Sequence, residues 1–249
     1  MKYYSVRITL LIVLIDFALL LSCSNDEAKK QIQTVARPTV PVLNGERQIG
    51  TQIWMTKNLN VSCYRNGDII PQVTDPTQWA NLTTGAWCYY NNSTANGTTY
   101  GKLYNWYAVA GIYDDASLAN PALRKKLAPN GWHIPTNGEW SNLINYLDPN
   151  ADGGNAFNIA GGKMKEIGTS NWLSPNTYAT NSSGFTGLPG GCRPYDGTFY
   201  VIGQYGSWWS SAENGTANAW SRNLSYDNGN AGKGGGPKKN GFSVRCVKD

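Results

Sequence analysis

The chain carries one histidine, His133, with three methionines and five phenylalanines in 249 residues, and only 15% of its side chains are charged. With no second histidine, a metal or acid–base constellation would have to be assembled from Asp, Glu, Tyr or Cys alone. No two of the five cysteines stand in C-x-x-C spacing, so neither a zinc site nor a dithiol redox site is supported. The net charge of +5 is too mild an excess to indicate nucleic acid. Its densest run, "GKGGGPKKNG" with Lys233, Lys238 and Lys239, has no interleaved aromatic on which a base could stack, and reads as a solvated loop.

What the chain does have is aromatic and small polar residues. Ten Trp and fifteen Tyr sit among 28 Gly and many Asn, Ser and Thr, a mixture that favours short strands, tight turns and long ordered loops over helical bundles. Hydrophobic residues make up 41%, enough for one sizeable core in a single domain of about 200 residues.

The N-terminus carries an address. "MKYYSVR" supplies two cations, "ITLLIVLIDFALLL" an apolar run interrupted by Asp16, and "LLSC" places small Ser22 before Cys23. The run is shorter than the roughly 20 residues that span a bilayer, and the whole resembles a bacterial lipoprotein signal. That resemblance implies removal of residues 1–22, acylation of Cys23, and attachment to a membrane through the lipid. Residues 23–46, polar and punctuated by Pro38 and Pro41, read as a tether. Asp26 and Glu27 resemble the signal that sends some Bacteroidota lipoproteins to the outer face of the outer membrane, so cell-surface display is the expected location. Residues 47–249 are the domain.

Four cysteines remain, and three full pairings are open to them. Cys192 with Cys246, both in the strand-rich C-terminal half, is the preferred pair, followed by Cys63 with Cys88; buried free thiols are the alternative.

In "APNGWHIPTNGEW", Thr136 and Glu139 have the spacing of a capping box. Behind them Trp140, Leu143, Ile144 and Leu147 form one apolar stripe, which predicts a helix over 137–147. His133 lies in the extended segment feeding that helix, and its expected role is structural, as Glu139's is capping. Asp148, Asn150 and Asp152 followed by Gly153 imitate the start of a calcium loop. Ile159 holds the twelfth position, where a bidentate glutamate is needed, so a turn is the better reading. "YGKLYNWYAVAG" carries Leu103, Trp106, Tyr107 and Ala110 at helical spacing. Beyond Gly161 the pattern is sheet and loop, ending in "NGFSVRCVKD" with Phe242, Val244 and Cys246 on one face. The class is α+β.

The blocks "IGTQIWMTKNLN", "YGKLYNWYAV", "LAPNGWHIPTNGEW", "AGGKMKE", "SGFTGLPGG", "WWSSAE" and "NGFSVRCVKD", in this order over residues 48–249, resemble the Fibrobacter succinogenes major paralogous domain family. Many members look like lipoproteins or modules of secreted proteins. The family is in turn similar to the formylglycine-generating enzymes, which implies an elaborated C-type-lectin-like fold. The enzymes' copper-binding cysteine pair has no counterpart here, since "LPGGCRPYDG" offers only Cys192. The Glu-Pro-Asn, Gln-Pro-Asp and Trp-Asn-Asp tripeptides of calcium-dependent lectins are missing too. No cofactor or metal is expected.

The expected function is a non-catalytic surface binding module for carbohydrate, with aromatic rings stacked on sugar faces. The loops at 195–209 and 226–239 are the places to look. The candidate ligand residues are Arg193, Tyr195, Asp196, Trp208, Trp209 and Trp220, with the alternative that the tryptophans are core. The competing readings are a surface protein that adheres to another protein, and an enzyme related to the formylglycine-generating group that uses Asp196, Glu213 or Asp227.

Overall fold

The first hairpin, β1 (Glu46–Ile49) and β2 (Gln52–Met55), reverses at Gly50, whose φ of +60° is the left-handed geometry that a tight turn requires. This computed structural model describes residues 45–149, 151 and 157–249, all within one compact unit. The lipoprotein signal, Cys23, the tether up to residue 44, and Asn150, Asp152 and Gly153 of the calcium-like turn lie outside the described residues. The architecture is α+β, with three antiparallel sheets and short helices, α1 (Pro76–Ala80), α2 (Thr94–Tyr100), α3 (Trp106–Ala110), α4 (Asp115–Ala119), α5 (Asn137–Leu147) and α6 (Ala160–Met164) among the described residues.

β2 does not pair onward with its sequence neighbours. Its partner is β9 (Val247–Lys248), which also pairs with β5 (Trp132–His133), giving a sheet of order β1-β2-β9-β5. A two-stranded sheet joins β3 (Trp87–Cys88) to β4 (Leu103–Tyr104). The third contains β6 (Tyr205–Glu213), β7 (Asn218–Ser225) and β8 (Ala231–Pro237) in sequence order.

Residues 241–248 tie these sheets together. Gly241 bridges to Arg193, Phe242 to Tyr104, Ser243 to Trp208, and Val247 to both Trp54 and His133. The carbonyls of Val244 and Cys246 accept from Leu59 and Met55. The final segment is thus deeply paired, mostly by single bridges.

Helix α5 (Asn137–Leu147) has the expected bounds. Thr136 Oγ1 accepts from the Glu139 amide while the Glu139 carboxylate accepts from the Thr136 amide at 2.8 Å, and Trp140, Leu143, Ile144 and Leu147 are the buried stripe. Other readings need correction. Only Trp106–Ala110 of the "YGKLYNWYAVAG" block is helical, as α3, because Asn105 caps Ala108 and leaves Leu103 and Tyr104 extended. Ala160–Met164 is a short helix where sheet and loop were expected. Asp148 closes α5 and accepts from the Ile159 amide at 2.8 Å. The lysine run is not a solvated loop. Lys233 lies on edge strand β8, whereas Lys238 is buried over the Trp106 ring and paired with Glu213 at 3.2 Å.

All four domain cysteines are free thiols. Cys246 is fully buried against the first core cluster, while Cys192 lies beside Tyr200 on a bridge of its own, so the expected Cys192–Cys246 pair is not formed, nor is Cys63–Cys88. Burial pushes Cys246 and Cys88 up to about 12, which leaves little thiolate to oxidise.

Eight of the ten tryptophans are buried, and each of those indole N–H groups has an acceptor, from Trp208 on Asn58 Oδ1 at 2.8 Å to Trp209 on the Tyr104 carbonyl at 2.9 Å. Neighbours on a strand point to opposite faces, so the adjacent pair on β6 divides between two clusters. Trp208 packs with Phe185, Trp54 and Trp140, and Trp209 packs on Phe242 at 4.4 Å. Strand β6 is thus buried on both sides at this point, which explains two adjacent large apolar residues in an otherwise small and polar strand. Trp209→Ala should therefore cost about 3–5 kcal/mol of stability, read as a lowered midpoint in urea. A midpoint unchanged from the parent would contradict this packing.

Candidate functional site

The core position of Trp208 and Trp209 removes them as ligand groups, since neither has accessible surface. Arg193 is removed for the same reason. Its guanidinium donates to the carbonyls of Gly197, Val73 and Thr74 at 3.0, 2.6 and 2.9 Å and lies over Trp79 and Phe199. Trp220 is half-buried on β7 with the Lys233 ammonium 5.2 Å from its ring centre. Tyr195 is exposed, and Asp196 beside it accepts from the Thr198 hydroxyl and amide, bonds that hold its carboxyl below the usual range. The structure does not gather the expected set into one place. Glu213 is occupied by Lys238 and, at 3.8 Å, Arg124, and Asp227 by Ser225 and Asn228.

A concave feature lies elsewhere. Two hollows of about 540 and 580 Å³ share Arg65, Arg124, Lys125 and Lys126 and form one groove. His133, Ile134 and Asp249 line one end, and Tyr113, Leu123 and Asp68 the other.

Local geometry fixes these groups. Gly111 ends α3 at φ +74°, where a Cβ would run into the Lys125 carbonyl, and its own carbonyl accepts from the Lys125 amide. This presses segment 121–128 against the helix end. A tight turn, with Gly67 N–H on the Tyr64 carbonyl, presents Arg65. The Arg65 amide donates to the Lys126 carbonyl at 2.7 Å, so the two residues are backbone neighbours across the groove floor. Arg65 Nε then donates to Ala128 and Nη2 to Pro129 and Trp132 carbonyls. Lys125 pairs with Asp68 at 3.0 Å and sits 3.4 Å over the centre of the Tyr113 ring.

His133 forms the other end as a clamp. Nε2 meets Glu139 at 2.7 Å and Nδ1 meets Asp249 at 2.8 Å. Only the doubly protonated ring can donate to both carboxylates; in that form it joins the start of α5 to Asp249 and has no nitrogen left to act as a base. Among the described residues no group of three or more His, Cys, Asp and Glu could hold a metal ion.

The sequence pattern pointed away from this groove because Arg65 and Lys126 are far apart in the chain. One signal was present: Arg124, Lys125 and Lys126 are three consecutive cations immediately before the "LAPNGWH" block.

The fold and groove together define an α+β domain that presents a basic cleft beside strands β5 and β9. Residues 48–248 match the Fibrobacter succinogenes major domain, and the chain belongs to that family. No curated protein and no solved structure matches the chain.

Burial lowers the affinity of His133 for its proton, but the bonds to Glu139 and Asp249 outweigh it and hold the pKa above the usual 6.5. The folded state therefore binds this proton more tightly than the unfolded chain. The clamp's contribution is fully present below about pH 6.5 and is lost as pH rises through the raised folded value. The ring is more than a third exposed, so the effect is at most about 1 kcal/mol. Urea unfolding of the parent and His133→Gln should differ most at mildly acid pH and converge in alkali; a gap that widens with pH would contradict the clamp.

Proposed function

We propose that the chain is a lipid-anchored, surface-displayed binding module without catalytic activity, built on a C-type-lectin-like scaffold, and that its ligand is a carbohydrate. The observation that carries this reading is the groove, which combines a half-exposed Tyr113 ring with Lys125 over one face, an amide at Asn66, a carboxylate at Asp68 and several cations. A sugar presents apolar C–H faces and a rim of hydroxyls, and needs that combination of a flat apolar surface and fixed polar groups. The groups lie on loops braced by helix α3 and the sheets, the usual placement for binding. The resemblance of residues 1–23 to a lipoprotein signal supplies the anchor.

A second observation supports a protein partner. Phe157 and Tyr178, both exposed, meet edge to face at 6.4 Å, an apolar pair on the surface.

The test is a glycan array probed with the full chain and with Tyr113→Ala. Saturable binding to at least one glycan class, weakened about tenfold or more in a folded Tyr113→Ala variant, is the expected result. No binding to plant, microbial or host glycans would refute the carbohydrate reading and turn attention to the surface at Phe157 and Tyr178.

A further inference from the structure

Within the groove one pair of charges stands unanswered. Lining its Tyr113 end are four cations, Arg65, Arg124, Lys125 and Lys126, and one carboxylate, Asp68. Lys125 takes Asp68, and Arg124 takes Glu213 from outside the lining. Arg65 and Lys126 have no carboxylate at ion-pair distance among the described residues, although one's backbone N–H is bonded to the other's carbonyl. Both residues line both hollows, so an anion entering the groove meets two cations that no carboxylate offsets.

Arg65 is also organised in advance. Nε and Nη2 are fixed on three carbonyls, while Nη1 has no protein acceptor among the described residues and lies in a residue that lines both hollows. A planar guanidinium locked on two of its nitrogens loses little freedom when the third binds an oxyanion. Lys126 is exposed and can move to meet the same group. The opposite end of the groove has the reverse character, because His133 is shared between Glu139 and Asp249. An anionic ligand is thereby directed away from Asp249 and toward Arg65 and Lys126.

We propose that the ligand is an acidic saccharide whose ring carboxylate or sulfate is received by Arg65 Nη1 and Lys126, with the sugar ring lying along Tyr113. This rests on the carbohydrate reading above and specifies its charge.

The experiment measures affinity of the full chain in detergent for polygalacturonate, dextran sulfate and neutral dextran, at low salt and at about 0.5 M salt, where screening is short-ranged. Polygalacturonate or dextran sulfate should bind and neutral dextran should not, the tighter of the two acidic polymers identifying the anion. Binding should weaken at high salt. Lys126→Glu should reduce affinity about tenfold or more. Lys57→Glu, the same charge change at an exposed lysine outside the groove, should leave it near the parent value. An equal loss in both variants would overturn the site in favour of diffuse charge attraction. Binding of neutral glycans alone would overturn the acidic ligand and leave the carbohydrate reading standing. Binding of no polysaccharide would overturn both.

Discussion

The fold depends on cations buried in settings of backbone carbonyl oxygens. Arg245 has no accessible surface, and its guanidinium donates to the Met55 and Phe185 carbonyls and to Asn58 Oδ1 while lying over the Phe185 ring. Lys165, equally buried, donates to the carbonyls of Thr177, Ser225 and Asn228. Lys102 reaches Asn60 and the Tyr89 hydroxyl and sits 4.2 Å over the Trp87 ring. Burial draws both lysines down to about 8, still above neutrality, so each remains an ammonium there. None of these four groups, counting Arg193, has a carboxylate at ion-pair distance among the described residues, although Asp227 lies near enough to Lys165 to favour its charge.

The physical reason lies in the loops. A domain with short strands has many carbonyls that no ladder satisfies, and burying them unpaired costs about 1–3 kcal/mol each. A long cationic side chain can satisfy two or three at once, and its own charge is compensated by their dipoles and by aromatic faces. Each such residue also joins segments far apart in sequence, as Arg193 joins 73–74 to 197 and Arg245 joins 55 to 185. Arg65 at the groove is the same device placed at the surface, with two nitrogens spent on carbonyls and one left to solvent. The Arg65 position is therefore an exposed variant of the arrangement that holds the core, with its guanidinium fixed on three carbonyls.

What could be read in the sequence was what local chemistry decides. Helix α5 was legible because its cap, stripe and stop all lie within a dozen residues. The α+β class and the family followed from ordered blocks. Strand β8 was not legible, since a glycine-rich stretch lacks the β-branched pattern of a strand and is extended here by its pairing with β7. Trp208 and Trp209 could have been surface or core, and the choice was made by two clusters on opposite sides of β6, which depend on Phe185 and Phe242 elsewhere in the chain. The groove failed to appear for a similar reason: Arg65 and Lys126 become neighbours only when a backbone bond brings two loops together.

The most direct test of this account is the equilibrium unfolding of Arg245→Met, in which a side chain of similar length fills the space without donating. Replacing a buried ion pair by apolar groups is often neutral, but here the Met55 and Phe185 carbonyls would lose their donor. A loss of about 3 kcal/mol or more is predicted, with tryptophan fluorescence and far-UV circular dichroism following one transition. A change below about 0.5 kcal/mol would contradict the claim that cation–carbonyl contacts hold the fold.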